Sequence, residues 1–178
     1  MSILTNIVAF KIGWLASILG AANEMPLLGP AVVLIAITLH LRVANDPSRE
    51  LLLIALTGMI GATWDSVMVG AGWLTYPTGT LVTGFAPYWI LAMWMLFATT
   101  LNMAFRWLRS KVLFAGVLGA VFGPLSYYAG AKAGAVVIND LTATMVALAV
   151  AWAILLPGLL FLARRFDGVT VQFQRSRI

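Results

Sequence analysis

The residue best placed to do chemistry is Asp65, the one acid inside an otherwise apolar stretch, Glu50 to Leu74. That stretch is long enough to cross a bilayer as a helix, which takes about 20 apolar residues. An aspartate at mid-membrane costs about 3 kcal/mol to insert, so it turns toward protein or a water-filled cavity. Gly58, Gly61, Ala62, Met68 and Gly72 stand three, four or seven positions away, on the same helical face. Small residues let a second backbone approach, so this face is expected to pack into a bundle. A rise of 1.5 Å per residue sets Asp65 about 22 Å beyond Glu50, the level that Tyr127 and Tyr128 reach counted from Val112. The candidate intramembrane polar site is therefore Asp65, Tyr127, Tyr128, Trp89 and Glu24, under a neutral loop from Thr75 to Ala86. Such a site would exchange protons or grip the polar end of a ligand. The structural alternative is an aromatic belt with one aspartate hydrogen-bonded to a tyrosine, in which case Asp65→Asn would be tolerated.

A second group, Lys11, His40 and Asn102, falls nearer the opposite membrane surface. The single histidine would suit proton handling at neutral pH. It also stands two residues before Arg42, where an interfacial side chain is ordinary. With one histidine, no cysteine and no HxxxH spacing, no metal site and no cofactor are expected. GxSxG, P-loop, GxGxxG and HExxH patterns are absent as well, so no motif specifies a reaction.

The elements that must carry these residues follow from composition. Of the 178 residues, 62% are hydrophobic and only 10% charged, with mean hydropathy +0.98. A soluble domain carries roughly 25% charged residues, so the fold class expected is all-α, a polytopic membrane bundle. Net charge is +5, but the cations gather at helix ends, which argues for membrane orientation rather than nucleic-acid binding. Lys11 interrupts the first apolar run and no cation precedes it, so that run is expected to be retained rather than cleaved as a signal.

Apolar runs bounded by turn residues give six expected spans, about 3–22, 27–42, 50–74, 87–105, 112–130 and 141–163. They form one transmembrane domain over 1–165, followed by a cytoplasmic tail at 166–178. Asp46 or Ser48 is suited to cap the third helix, and Pro124 is a point at which the fifth would break or kink. Gly119 and Gly123 form a small-xxx-small helix contact. With six crossings, Arg42, Arg49, Arg106, Arg109, Lys111, Arg164, Arg165, Arg175 and Arg177 share one side, and Lys132 alone takes the other. That bias places both termini in the cytoplasm, with Arg106, Arg109 and Lys111 anchoring a turn there.

A set of these residues also resembles a known family. Lys11-x-x-Trp14, His40, Asp65, Pro87-x-Trp89-x-x-x-x-Trp94-x-x-Phe97-Ala98, Leu101-Asn102 with Trp107-Leu108, and Gly119-x-x-x-Gly123 followed by Tyr127 are similar to the DUF2878 family. Lys11 departs from the pattern, where glutamine is expected. The resemblance implies a small bacterial inner-membrane protein without a defined reaction. It suggests a lipid-linked role, with membrane lipids as ligands or a fatty-acid- or phospholipid-modifying enzyme as partner. The alternatives are a small proton-coupled carrier using Asp65 and a structural subunit without ligand.

Overall fold

The computed structural model describes residues 2–169. Arg175 and Arg177, counted above toward the cytoplasmic charge, lie outside the described residues. Six helices run in order: α1 (Ile3–Ala22), α2 (Leu28–Val43), α3 (Pro47–Gly70), α4 (Tyr88–Leu101), α5 (Val112–Lys132) and α6 (Leu141–Arg165). Between them lies a small antiparallel ribbon of β1 (Leu74–Thr75) and β2 (Val137–Ile138), which pairs Leu74 with Ile138 and Thr75 with Val137.

Local chemistry explains the helix starts. Ser2 accepts a hydrogen bond from the Thr5 amide at 3.1 Å, Asp46 from the Arg49 amide at 3.1 Å and Asp140 from the Ala143 amide at 2.9 Å. Each satisfies a donor that the first helical turn leaves unpaired. Pro47 follows Asp46 at the first position of α3, where a missing N–H costs nothing. The third helix is thus displaced from its expected bounds, starting at Pro47 and ending at Gly70. The fourth ends at Leu101 rather than Phe105 and gives way to a short 3-10 turn at Arg106–Leu108. Its side chain at Asn102 leaves the helical path to join a buried cluster described below. The fifth runs unbroken through Pro124 to Lys132.

Four helices, α1, α3, α5 and α6, are long and apolar enough to cross a membrane. The other two are shorter, at 16 residues for α2 and 14 for α4. At 1.5 Å per residue α4 extends about 21 Å, less than a hydrocarbon core of about 30 Å. Its position accounts for this. It packs on α1, α2 and α3 and touches α6, and Trp89, Ile90, Trp94, Leu96 and Ala98 are buried along it. A helix sheathed by protein does not have to match the lipid on its own.

Successive connections lie at alternate ends of the bundle. At one end the α2–α3 turn, the α4–α5 turn and the stretch after α6 touch one another: the Asn45 and Asp46 amides donate to the Gly168 carbonyl, and Arg106 reaches Asp167. At the other end Thr78 bonds the Ala21 carbonyl, and Asn139 bonds the Gly72 carbonyl and the Thr75 hydroxyl. The pairing of α5 with α6 depends on glycine. A Cβ on Gly119 would lie 2.2 Å from the Trp152 carbonyl oxygen, and one on Gly123 would lie 2.3 Å from the Trp152 ring. Pro157 cannot donate to Ala153, and that carbonyl faces Gly116 instead, 3.1 Å from where a Cβ would stand.

Candidate functional site

Asp65 is fully buried and receives hydrogen bonds from three side chains on three different segments. The Tyr76 hydroxyl donates to Oδ1 at 2.5 Å, the Trp94 indole Nε1–H to Oδ2 at 2.7 Å, and the Tyr127 hydroxyl lies 2.9 Å from both oxygens. An ionised carboxylate is acceptor-only, and bonds to a charged acceptor are the stronger ones. The cluster therefore ties α3, α4, α5 and the loop after β1 to a single point.

Each donor is positioned by a local feature. Trp94 reaches Asp65 because its ring lies over Gly61, where an added Cβ would fall 1.9 Å from the indole. Trp152 of α6 stacks on its other side, with ring centroids 4.8 Å apart. Tyr76 points inward because the β1 ribbon sets an alternation: Leu74 buried, Thr75 exposed, Tyr76 buried. Burial, and then the carboxylate beside it, push the Tyr76 phenol well above its ordinary pKa, so it stays a donor. Trp89 stands one step outside. It meets Tyr76 edge-on at 5.5 Å and gives its N–H to the Thr78 carbonyl at 3.1 Å, holding down the loop that carries Tyr76.

Two expected members are elsewhere. Tyr128 is exposed, on the α5 face that turns away from Asp65, and Lys132 sits over its ring at 5.2 Å. Adjacent helical residues differ by about 100° in direction, so depth matched for both tyrosines but facing admits only Tyr127. Glu24 is exposed in the α1–α2 turn, with φ at 61°. Trp64 is near Asp65 in sequence, yet its buried N–H has no partner among the described residues.

A cavity of about 90 Å³ borders this cluster, lined by Phe10, Trp14, Met93, Phe97, Trp152 and Tyr127 together with Trp94 and Ser126. A smaller one of about 30 Å³ continues past Tyr127 toward Tyr76 and Trp89. The walls come from α1, α4, α5 and α6, and they are apolar except at Tyr127, Ser126 and the indole nitrogens. The Trp152 Nε1–H is buried and lacks a protein acceptor among the described residues. An occupant of the cavity would thus find apolar walls, one phenol already bonded to Asp65, and the Trp152 N–H, which lies near that phenol without a hydrogen bond of good geometry.

At the opposite end a second carboxylate, Glu50, is equally buried. It bonds the His40 Nε2 at 2.7 Å, the Asn102 side-chain amide, and the Gly168 backbone N–H at 2.8 Å. The Asn102 oxygen in turn accepts from Arg109, which pairs with Asp167 at 2.9 Å, and Arg106 joins Asp167 at 2.8 Å. His40 and Asn102 thus come together, but Lys11 does not join them; it is exposed on α1. Residues 166–169, the start of the expected tail, pack into this cluster, and the rest of that tail, 170–178, lies outside the described residues. Glu50 and Asp65, 15 residues apart on α3, stand about 22 Å from each other, so they serve separate sites. Among the described residues, no group of three or more His, Asp or Glu side chains is arranged to hold a metal ion.

A family model described as a protein of unknown function, DUF2878, matches residues 3–158. The chain belongs to the DUF2878 family. That match spans α1 through most of α6 and so takes in both carboxylate clusters of this DUF2878 protein, although Asp167 and Gly168 lie beyond it. No curated protein and no solved structure matches this DUF2878 chain.

Proposed function

We propose that the protein is a multi-pass component of the bacterial cytoplasmic membrane, with six crossings and both termini cytoplasmic. In this reading it holds a lipid-like molecule in the groove between α1, α4 and α5. The observation that carries the proposal is the cavity of about 90 Å³ beside Asp65, whose aromatic and methionine lining suits an acyl or isoprenoid chain. The unpartnered Trp152 N–H suits an ester carbonyl or hydroxyl at the polar end of such a chain. A lipid held this way would be presented to a lipid-modifying enzyme in the same membrane.

A proton-coupled carrier is the weaker reading. The donors on Asp65 already occupy both of its oxygens, and Lys132 is engaged with Tyr128 instead of facing the acid.

Native mass spectrometry of the purified protein tests the groove. Wild type is expected to retain a lipid that survives detergent exchange. Met93→Trp, which fills the cavity, is expected to lose it while keeping the fold. Retention of the same lipid by both proteins would refute the assignment. Orientation is tested separately: a periplasmic reporter is expected to be active near Thr80 and inactive after Ile178, and the reverse pattern would overturn the topology.

A further inference from the structure

A third cavity lies at the basic end of the bundle, on the far side of Arg109 from the Glu50 cluster that this arginine also joins. It has a volume of about 50 Å³ and sits between the start of α5 and the end of α6. Its apolar walls include Val112, Pro157, Leu160 and Phe161, and its charged lining is Arg109 and Arg164. A water needs about 10–15 Å³ of such space, so the notch has room for a few water-sized groups or one tetrahedral anion. We propose that it binds the phosphate of an anionic membrane phospholipid.

Several observations converge on that ligand. Arg109 is largely buried and holds Asp167 and Asn102 through its terminal nitrogens, yet its Nε–H is buried without a partner among the described residues. Arg164 has no ion-pair partner among the described residues. Asp167 is shared by two arginines, so this corner carries uncompensated positive charge. The first turn of α5 has no side-chain cap, with Lys111 preceding it, which leaves backbone N–H groups at the positive end of the helix dipole.

The apolar side distinguishes a lipid from a free anion. Val112 is 60% exposed and Phe161 75%, and both line the notch where it opens on the outer surface of the bundle. A phosphate seated at the arginines would lay its acyl chains along those side chains. Trp107, half exposed, lies under the Lys111 ammonium at 5.0 Å, an arrangement suited to headgroup depth. The inference depends on the membrane reading above but not on the groove beside Asp65, which is lined by a separate set of residues.

The test uses the full chain in nanodiscs of phosphatidylcholine with or without phosphatidylglycerol, and reads the fraction of each lipid retained on extraction. Arg164→Gln is the main variant. Arg165→Gln, its neighbour outside the lining, is the control. Wild type is expected to prefer phosphatidylglycerol, and Arg164→Gln to lose that preference by about fivefold, the value of one basic side chain at an anionic surface. Arg165→Gln is expected to retain it. Equal retention of the two lipids by wild type would overturn the proposal. So would an equal loss in both variants, which would mean diffuse surface charge, or full displacement of the lipid by inorganic phosphate, which would mean a free-anion site.

Discussion

Replacing Asp65 by asparagine is the most informative perturbation, because it preserves shape while removing one acceptor. The asparagine side chain offers one oxygen and an NH2 group. Trp94 can only donate, so the oxygen must turn toward the indole, now 2.7 Å from Oδ2. The NH2 group then takes the Oδ1 position, 2.5 Å from the Tyr76 hydroxyl. Tyr76 can accept from it, but the phenol proton loses its own acceptor in a position only 7% exposed. A bond to a charged acceptor contributes about 1.5–3 kcal/mol and a neutral one about 1 kcal/mol, so the expected net loss is about 2 kcal/mol. Tolerance of asparagine, which the sequence suggested for a structural aspartate, is not expected with this many donors in place. Reversible unfolding in mixed micelles, followed by tryptophan fluorescence, measures the loss. A cycle with Tyr76→Phe isolates the mechanism. Once the orphaned hydroxyl is removed, the double variant is expected to be about 1 kcal/mol more stable than the two single losses predict. Additivity within about 0.5 kcal/mol, or an Asp65→Asn protein as stable as wild type, would refute the reasoning.

Four further variants are read by the same measurement. Gly61→Ala drives a Cβ into the Trp94 ring, 1.9 Å away, so overpacking and a lost indole bond together are expected to cost about 3–5 kcal/mol. Gly119→Ala meets the Trp152 backbone, which cannot yield as a side chain can, and is expected to lose about 1–3 kcal/mol. Gly158→Ala, on the same helix pair but with nothing near its Cβ, is expected to be neutral or to gain up to about 1 kcal/mol. Glu50→Ala leaves His40, Asn102 and the Gly168 amide without their shared acceptor, and is expected to cost about 3 kcal/mol or more. Faster hydrogen exchange at the Asn45 and Asp46 amides, which bond Gly168, would accompany it.

What was legible in the chain was whatever depends on neighbours in sequence. Turn residues and apolar runs located six helices, the cap of the third was narrowed to Asp46 or Ser48, of which Asp46 takes it, and counting along two helices brought Asp65 level with Tyr127 and Tyr128, of which Tyr127 reaches it. The missed partners are those placed by distant segments. Tyr76 lies in a loop that looked like a polar lid, and only the pairing of Leu74 with Ile138 turns its side chain inward. Trp94 stood in a tryptophan-rich span that read equally well as an interfacial belt; the space over Gly61 is what directs it to the acid. Glu50 served only to mark the start of the third span, and its burial comes from residues 166–169 folding back over the α2–α3 turn. A signal for Glu50 was available: an acid, a histidine and an asparagine all fall at one end of neighbouring helices. Nothing local said that they face one another.

The two carboxylates together suggest how the bundle divides its work. Each draws donors from segments far apart in sequence, so each acts as a clamp: Asp65 on α3, α4, α5 and the β1 loop, and Glu50 on α2, α3, the α4 end and the stretch after α6. Helix α1 belongs to neither clamp. It is held instead by close packing on α2, where Gly29 lies against Ser17, and by the Asn6 side chain on the Thr99 carbonyl. Its main neighbours are α2 and α4, while the main neighbour of α5 is α6. The aromatic cavity lies between those two groups, beside the helix that no buried carboxylate fixes. A polar lock is costly to open in a low dielectric, whereas α1 meets α5 through apolar groups such as Ile18 beside Gly130 and through no side-chain hydrogen bond among the described residues. Under the proposed lipid-binding reading, α1 is therefore the wall of the cavity that can shift with both clamps intact.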